Sequence, residues 1–85
     1  MEIDFHRKFK KQYQKLPEKI QVQFDNKFEQ FIADPKNPSL RVHKLHGDKK
    51  DFYSLNINAD YRALFTMSTT LVIFHQIGTH SELYG

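Results

Sequence analysis

The chain has no cysteine among its 85 residues. That excludes disulfide staples and thiolate metal sites, and it suits a reducing compartment. No apolar run approaches the roughly 20 residues that a membrane-spanning helix needs. The opening residues, MEIDFHRKFKK, are mixed and charged and lack the apolar stretch of a secretory leader. Repeats, low-complexity tracts and interdomain linkers are also missing. The expectation is one domain over residues 1–85, located in the cytoplasm and without membrane contact, because this length leaves no room for a second core.

What the chain does have is aromatic and basic. Eight Phe and four Tyr must supply much of a core that is marginal at this size. The formal net charge is +3, and its distribution is uneven. Between Phe5 and Leu16 lie Arg7, Lys8, Lys10, Lys11 and Lys15 with no acid. Between Arg41 and Lys50 lie Arg41, Lys44, Lys49 and Lys50, with His43 and His46 among them and Asp48 as the one acid. Two such clusters are a footprint for a polyanion, with solvated surface as the plain alternative.

Hydrophobic spacing divides the chain into two halves. Glu2–Phe5 alternates charged and apolar residues, as a short strand does. Phe5, Phe9, Tyr13 and Leu16 then recur at helical spacing. Pro17 stops that helix and can open the next, whose apolar stripe is Ile20, Phe24, Phe28, Phe31 and Ile32. After the loop DPKNPS the period changes to two, and Tyr53–Ile57 and Tyr61–Met67 read as strands. Leu71–Ile77 is nearly all apolar, as a central strand covered on both faces is, and turns at Asn58–Asp60 and Ser68–Thr70 join the three. Gly78 opens the last segment, with the backbone freedom of glycine. The expected architecture is α+β: an N-terminal helical hairpin packed on one face of a mostly antiparallel four-stranded sheet, leaving the other face free for function.

The residues suited to chemistry lie after position 40, in RVHKLHG, ADYRALF and GTHSELYG. Histidine moves protons near neutral pH. Arginine offers a forked donor for phosphate. Tyrosine can donate a proton or stack on a base. The candidates His43, Lys44, His46, Asp60, Tyr61, Arg62, His80, Glu82 and Tyr84 are of types that together suit RNA cleavage by attack of the 2′-hydroxyl, which requires a base, an acid and a cation but no metal. Each has a plainer structural alternative. His43 and His46 can be part of a solvated basic loop, Arg62 can pair with Asp60 or Asp51, and Tyr84 can dock on the core. His75 sits within an apolar strand, as a structural histidine does. A zinc site from His43, His46, His75 and His80 has little support, with H-x-x-H off a recognisable helix and no cysteine beside it. Neither a metal nor a small-molecule cofactor is expected.

The segments NPSLRVHKLHGDKKDFYSLNINADYRALF and IGTHSELYG, in this order, resemble the RelE/ParE toxin superfamily, most of all its YafQ-like branch. That branch carries H-x-L-x-G after the helical hairpin, D-[WY] at a strand opening, and a terminal G-T-H-x-x-L-[FY]. The resemblance covers nearly the whole chain. It implies a type II toxin that cleaves mRNA on the ribosome and is held inactive by a cognate antitoxin. Its partners would be that antitoxin, mRNA and ribosomal RNA. By the same resemblance His80 is the main catalytic histidine, assisted by His43. Asp60 and Tyr61 match the D-W pair, Arg62 binds phosphate, and Tyr84 with Tyr61 orients the nucleotide. Arg41, Lys44, His46, Lys49 and Lys50, with Lys10 and Lys11 of the first helix, would contact RNA. Two positions depart from the branch: Asn56 replaces a second active-site histidine and Gln76 an arginine. The rival readings are a ParE-type toxin that binds DNA gyrase without catalysis, and an inactive basic module that binds RNA or protein.

Overall fold

Alternation over Glu2–Phe5 half-buries Ile3 and Phe5 and exposes Glu2 and Asp4, which makes strand β1. His6 ends that strand and opens helix α1, Arg7–Gln14, its Nδ1 accepting the Lys8 N–H at 3.1 Å. This is an N-cap bond from an imidazole in place of the usual short oxygen side chain. Pro17 sits at the N-cap of helix α2, Glu18–Ala33, where its carbonyl accepts the N–H groups of Ile20 and Gln21. The computed structural model describes residues 1–84, so the final Gly85 of the last motif lies outside the described residues.

The strands that follow are β2, His43–Lys44; β3, Tyr53–Asn56; β4, Tyr61–Met67; and β5, Leu71–Thr79. They form a sheet of order β1-β5-β4-β3-β2, with β1 parallel to β5 and every other pair antiparallel. The expected class is therefore correct, with five strands where four were predicted. The added strand is β2, two residues long, pairing His43 with Ser54 and Lys44 with Tyr53. A pairing this short has no periodicity to read, and it depends on β3 being in place beside it.

The helical hairpin covers one face of the sheet. Phe9, Phe24 and Phe31 from the helices meet Leu55, Ala63, Phe65, Phe74 and Ile77 from the strands in one buried cluster. Phe74 is its centre. The rings of Phe5, Phe9, Phe24, Phe28, Phe31 and Phe65 all have centroids within 5.9 Å of it. The register keeps these residues on one side, except that β5 carries a bulge. Ala63 pairs with Ile77 and Phe65 with Phe74, so His75 and Gln76 together face the single residue Leu64. Both side chains thus fall on the face away from the helices, which is how a bulge re-aims a strand. There the His75 Nε2 lies 2.9 Å from the Thr66 hydroxyl, and its ring packs against His6 and Phe52. Burial first, and the nearby His6 second, lower the His75 pKa below the usual histidine value.

A third helix, α3, His80–Tyr84, was not foreseen. It turns back from the end of β5, so the face opposite the hairpin is not free of helix, as the sequence had suggested. Thr79 and Glu82 hold the turn reciprocally. The Thr79 N–H donates to Glu82 Oε1 at 2.7 Å, and the Glu82 N–H donates to Thr79 Oγ1 at 3.1 Å. This is a capping box, T-x-x-E, a pattern present in the sequence itself. Gly78 serves it by its size, not by its backbone freedom. The one glycine with positive φ among the described residues is Gly47. A Cβ on Gly78 would stand 3.0 Å from Glu82 Oε1 and 3.6 Å from Leu83 Cδ2.

Candidate functional site

Facing residues in an antiparallel ladder share one side of the sheet. Asn56 on β3 pairs with Arg62 on β4, and Arg62 pairs with Gly78 on β5. His43 on β2 pairs with Ser54. These positions alternate with the buried Leu55 and Ala63, so their side chains lie on the face away from the hairpin. An open cleft of about 630 Å³ lies on that face, lined by Arg41, Val42, His43, Leu45, Asn56, Arg62, His80 and Tyr84.

Arg41 follows the short 3₁₀ turn Pro38–Leu40 and takes a left-handed conformation, φ 49° and ψ 40°. For a residue with a side chain this conformation costs about 1–2 kcal/mol. It brings the Arg41 carbonyl to 2.9 Å from His43 Nδ1. A carbonyl oxygen only accepts, so the hydrogen sits on Nδ1. In the neutral imidazole Nε2 then carries the lone pair, which is the form a proton acceptor requires.

Arg62 does not pair with Asp60 or Asp51. Its guanidinium donates to the carbonyls of Asn58 at 2.7 Å, Tyr61 at 3.0 Å and Ala59 at 3.2 Å. Three carbonyls hold the side chain without neutralising its charge. The cleft therefore contains a fixed cation with N–H groups to spare. The turn that supplies those carbonyls is built by Asn58. Its Oδ1 accepts the N–H groups of Asp60 and Tyr61, each at 2.8 Å, and its Nδ2 donates to Gln23 Oε1 on α2 at 2.7 Å. Asn58 went unnoticed in the sequence except as a turn residue, and side-chain bonding of this kind is why asparagine favours turns.

His80 and Tyr84 are one turn apart on α3, their rings 4.5 Å apart and edge-on. The His80 N–H donates to the Asp60 carbonyl at 2.8 Å. Tyr84 donates its hydroxyl to Ser54 Oγ at 3.2 Å, and Ser54 is fully buried. Ser54 is thus a second support that the sequence did not reveal.

The structure brings together Arg41, His43, Arg62, His80 and Tyr84 of the residues singled out from sequence, with Asn56 beside them. The others are placed elsewhere. Asp60 is absent from the lining and joins the site through its backbone carbonyl. Tyr61 packs against the core from the hairpin side, beside Gln12, Leu16 and Ile77. Lys44, opposite Tyr53, places its ammonium 5.9 Å from that ring's centre. His46 and Lys49 belong to the 3₁₀ turn at Gly47–Lys49, which Lys50 closes. Lys10 and Lys11 lie on α1, across the sheet from the cleft. Gln76 is on the cleft face but outside the lining, opposite Leu64. Among the described residues no three His, Asp or Glu side chains gather as a metal site, and no helix is long and apolar enough to cross a membrane.

A small antiparallel-rich sheet with a helical hairpin on one face is the fold of the RelE/ParE toxins. The chain belongs to the ParE toxin family of type II toxin–antitoxin systems, whose family model matches residues 3–84. No curated protein matches the sequence. Solved structures share the fold at low identity. YafQ from E. coli superposes with a TM-score of 0.85 at 17% identity, over 99% of this chain and 98% of its own. The YoeB/ParE toxin from Agrobacterium tumefaciens gives 0.77 at 16% identity, over 94% and 99%. The toxin–antitoxin complex RelBE2 from Mycobacterium tuberculosis gives 0.76 at 17%, over 93% and 96%.

Proposed function

We propose that this toxin is a metal-independent endoribonuclease that cleaves mRNA at the ribosome, with the cleft as its active site. The observation that carries the proposal is the meeting of two histidines and two guanidiniums in that cleft. His43 Nε2, left basic by the Nδ1 bond to Arg41, takes the 2′-hydroxyl proton. The freed O2′ attacks the adjacent phosphorus. Arg62 and Arg41 offset the charge that gathers on the phosphoryl oxygens. The bond from phosphorus to O5′ then breaks, and His80 returns a proton to O5′. The products are a 2′,3′-cyclic phosphate and a 5′-hydroxyl. Tyr84, braced by Ser54, offers its ring to the nucleotide. Asn56 cannot relay protons, so the reaction runs on two histidines, and Arg41 adds a second cation to the cleft, which Gln76 does not line. Asp60 acts through its carbonyl and Tyr61 through packing. Lys44, His46, Lys49 and Lys50, on the side of β2 and the turn after it, face ribosomal RNA. Lys10 and Lys11 reach it from the opposite layer.

The cognate antitoxin is the second partner. Support comes from the similar fold in the E. coli DinJ–YafQ complex. The protein works in the cytoplasm, where its RNA substrate is. Expression of the wild type and of His80→Ala tests the reading. Growth arrest with cleaved mRNA is expected from the wild type alone. Equal arrest by both removes His80 from the mechanism, and no mRNA cleavage by the wild type removes the enzyme.

One observation favours a second reading, a ParE-type toxin that binds DNA gyrase without catalysis: the family model that matches is that of ParE. Inhibition of gyrase supercoiling with mRNA left intact would support it. The cleft argues for the first reading, because a protein-binding poison has no use for a tautomer-fixed histidine beside two arginines.

A further inference from the structure

The cleft does not end at Arg41. Beyond it is a second hollow of about 320 Å³, lined by Lys27, Ser39, Arg41, Asn56, Ile57, Asn58 and Ala59. Arg41 and Asn56 line both hollows, so the two adjoin at these side chains. Three separate parts of the chain build the second hollow: α2 supplies Lys27, the 3₁₀ turn supplies Ser39, and the β3–β4 turn supplies the far wall. Its size is at the lower end for small-ligand sites, about 300–1,000 Å³.

The chemistry of its walls differs from that of the cleft. No aromatic side chain lines it, so it cannot stack a base. It holds two cations, Lys27 and Arg41. Its hydroxyl, Ser39 Oγ, donates to Gln30 Oε1 and keeps its acceptor lone pairs. Asn58 is spent on the turn and on Gln23, which leaves the Asn56 amide as the open one. Two cations, one acceptor and one amide, without a stacking surface, match a phosphate and its ribose. The left-handed backbone at Arg41 places this residue at the junction, where one guanidinium can serve the phosphates on both sides.

We propose that this hollow is a second nucleotide subsite, which holds the phosphate and ribose of the RNA residue flanking the scissile one through Lys27, Arg41, Ser39 and Asn56. The proposal rests on the RNA reading of the cleft. It makes Lys27 on α2, outside both basic clusters of the sequence, an RNA-binding residue. Because no base is read there, its contribution is independent of sequence.

The test is a titration of the ¹⁵N-labelled protein with unmodified oligouridylates of two and four residues, free of the ribosome at which cleavage is proposed, so that the ribose hydroxyls are present and the probes stay intact. The two-residue probe should shift amides of Arg62, His80 and Tyr84. The four-residue probe should shift these and also Lys27, Ser39 and Ala59. Lys27→Gln should weaken binding of the longer probe only, and should remove one phosphate from the salt dependence, a slope change of about 0.7. Between 50 and 200 mM salt, wild-type affinity should then fall about 2.5-fold further than that of the variant. Lys19→Gln, the same charge change elsewhere on α2, should leave binding of both probes as in the wild type. Shifts confined to the cleft with both probes overturn the second subsite and leave the cleft reading standing. No shift at Arg62, His80 and Tyr84 with either probe refutes the RNA reading, and the subsite falls with it.

Discussion

The contact between Gly78 and Glu82 predicts a change of sign in a mutational effect. In the wild type the Glu82 carboxylate accepts the Thr79 N–H at 2.7 Å, and a Cβ on Gly78 would stand 3.0 Å from the same oxygen. Glu82→Ala removes a cap bond of about 1 kcal/mol and a favourable charge in a helix first turn, about 0.5 kcal/mol. Since α3 has five residues, it cannot hold itself without that cap and the burial of Leu83. Gly78→Ala in the wild type pushes the carboxylate off the Thr79 amide, forfeiting up to about 1 kcal/mol. In the Glu82→Ala background the clashing oxygen is gone, and the remaining contacts, at 3.5 and 3.6 Å, are ordinary. There Gly78→Ala should stabilise by about 0.5–1 kcal/mol, because alanine restricts the unfolded chain. The unfolded-chain gain is common to both backgrounds and cancels, so the coupling between the sites is the clash alone, up to about 1 kcal/mol. With a urea slope near 1 kcal/mol per molar for a small domain, it appears as about 1 M between the four midpoints. Urea unfolding of the wild type, both single variants and the double variant measures it. If Gly78→Ala shifts the midpoint equally in both backgrounds, the carboxylate does not make Gly78 necessary.

Other expectations follow from single features. Arg41 is left-handed, so Arg41→Gly should stabilise the fold by about 1 kcal/mol while Arg41→Val destabilises it by more than that in urea. The valine variant should also lose the Nδ1–H tautomer of His43 in ¹⁵N spectra, and the glycine variant should keep it. Tyr13 donates its hydroxyl to Asp25 at 2.8 Å. Burial, that bond and the Asp25 charge push its pKa up to about 12. A pKa raised in the folded state stabilises below the unfolded value near 10 and is lost as pH climbs through the folded one. Ultraviolet titration should therefore show one late phenol that disappears in Tyr13→Phe, and stability should fall from about pH 10 upward. Phe74→Ala empties the centre of the aromatic cluster. A loss of about 3–5 kcal/mol from a domain with roughly 5–15 in total should abolish or sharply lower its cooperative thermal transition, and a melt unchanged within a few degrees would contradict the central place of Phe74.

Much of the fold can be read along the chain. Helix, break and helix follow from the spacing of Phe9, Tyr13 and Leu16, from Pro17, and from Ile20 through Ile32. The strands β3 and β4 follow from the alternation around Leu55, Ala63 and Phe65, and the central β5 from the nearly unbroken apolar run LVIFHQI. These are local patterns, and a side chain's face is set by the residue's own position in its element. The capping box at Thr79–Glu82 was equally local and was overlooked, which left α3 out. Strand β2 was beyond local reading, since two residues pair only because β3 stands beside them. The bulge at His75 is also invisible in LVIFHQI, where every position is compatible with a regular strand.

The site divides along the same line. Residue types and motif order alone pointed to His43, Arg62, His80 and Tyr84, and the lack of cysteine limited the chemistry to side chains without thiolates. Only tertiary structure decided which of the singled-out residues meet. It drew His43 and His80 into one cleft through the order β2-β3-β4-β5. It turned Tyr61 toward the core, one position from Arg62, because neighbours in a strand point to opposite faces. It tied Arg62 to the carbonyls of its own turn instead of to an acid, and it set the His43 tautomer through a strained Arg41. The physical reason is range. Propensity and periodicity act over a few residues, whereas a site joins side chains that strand pairing alone brings together.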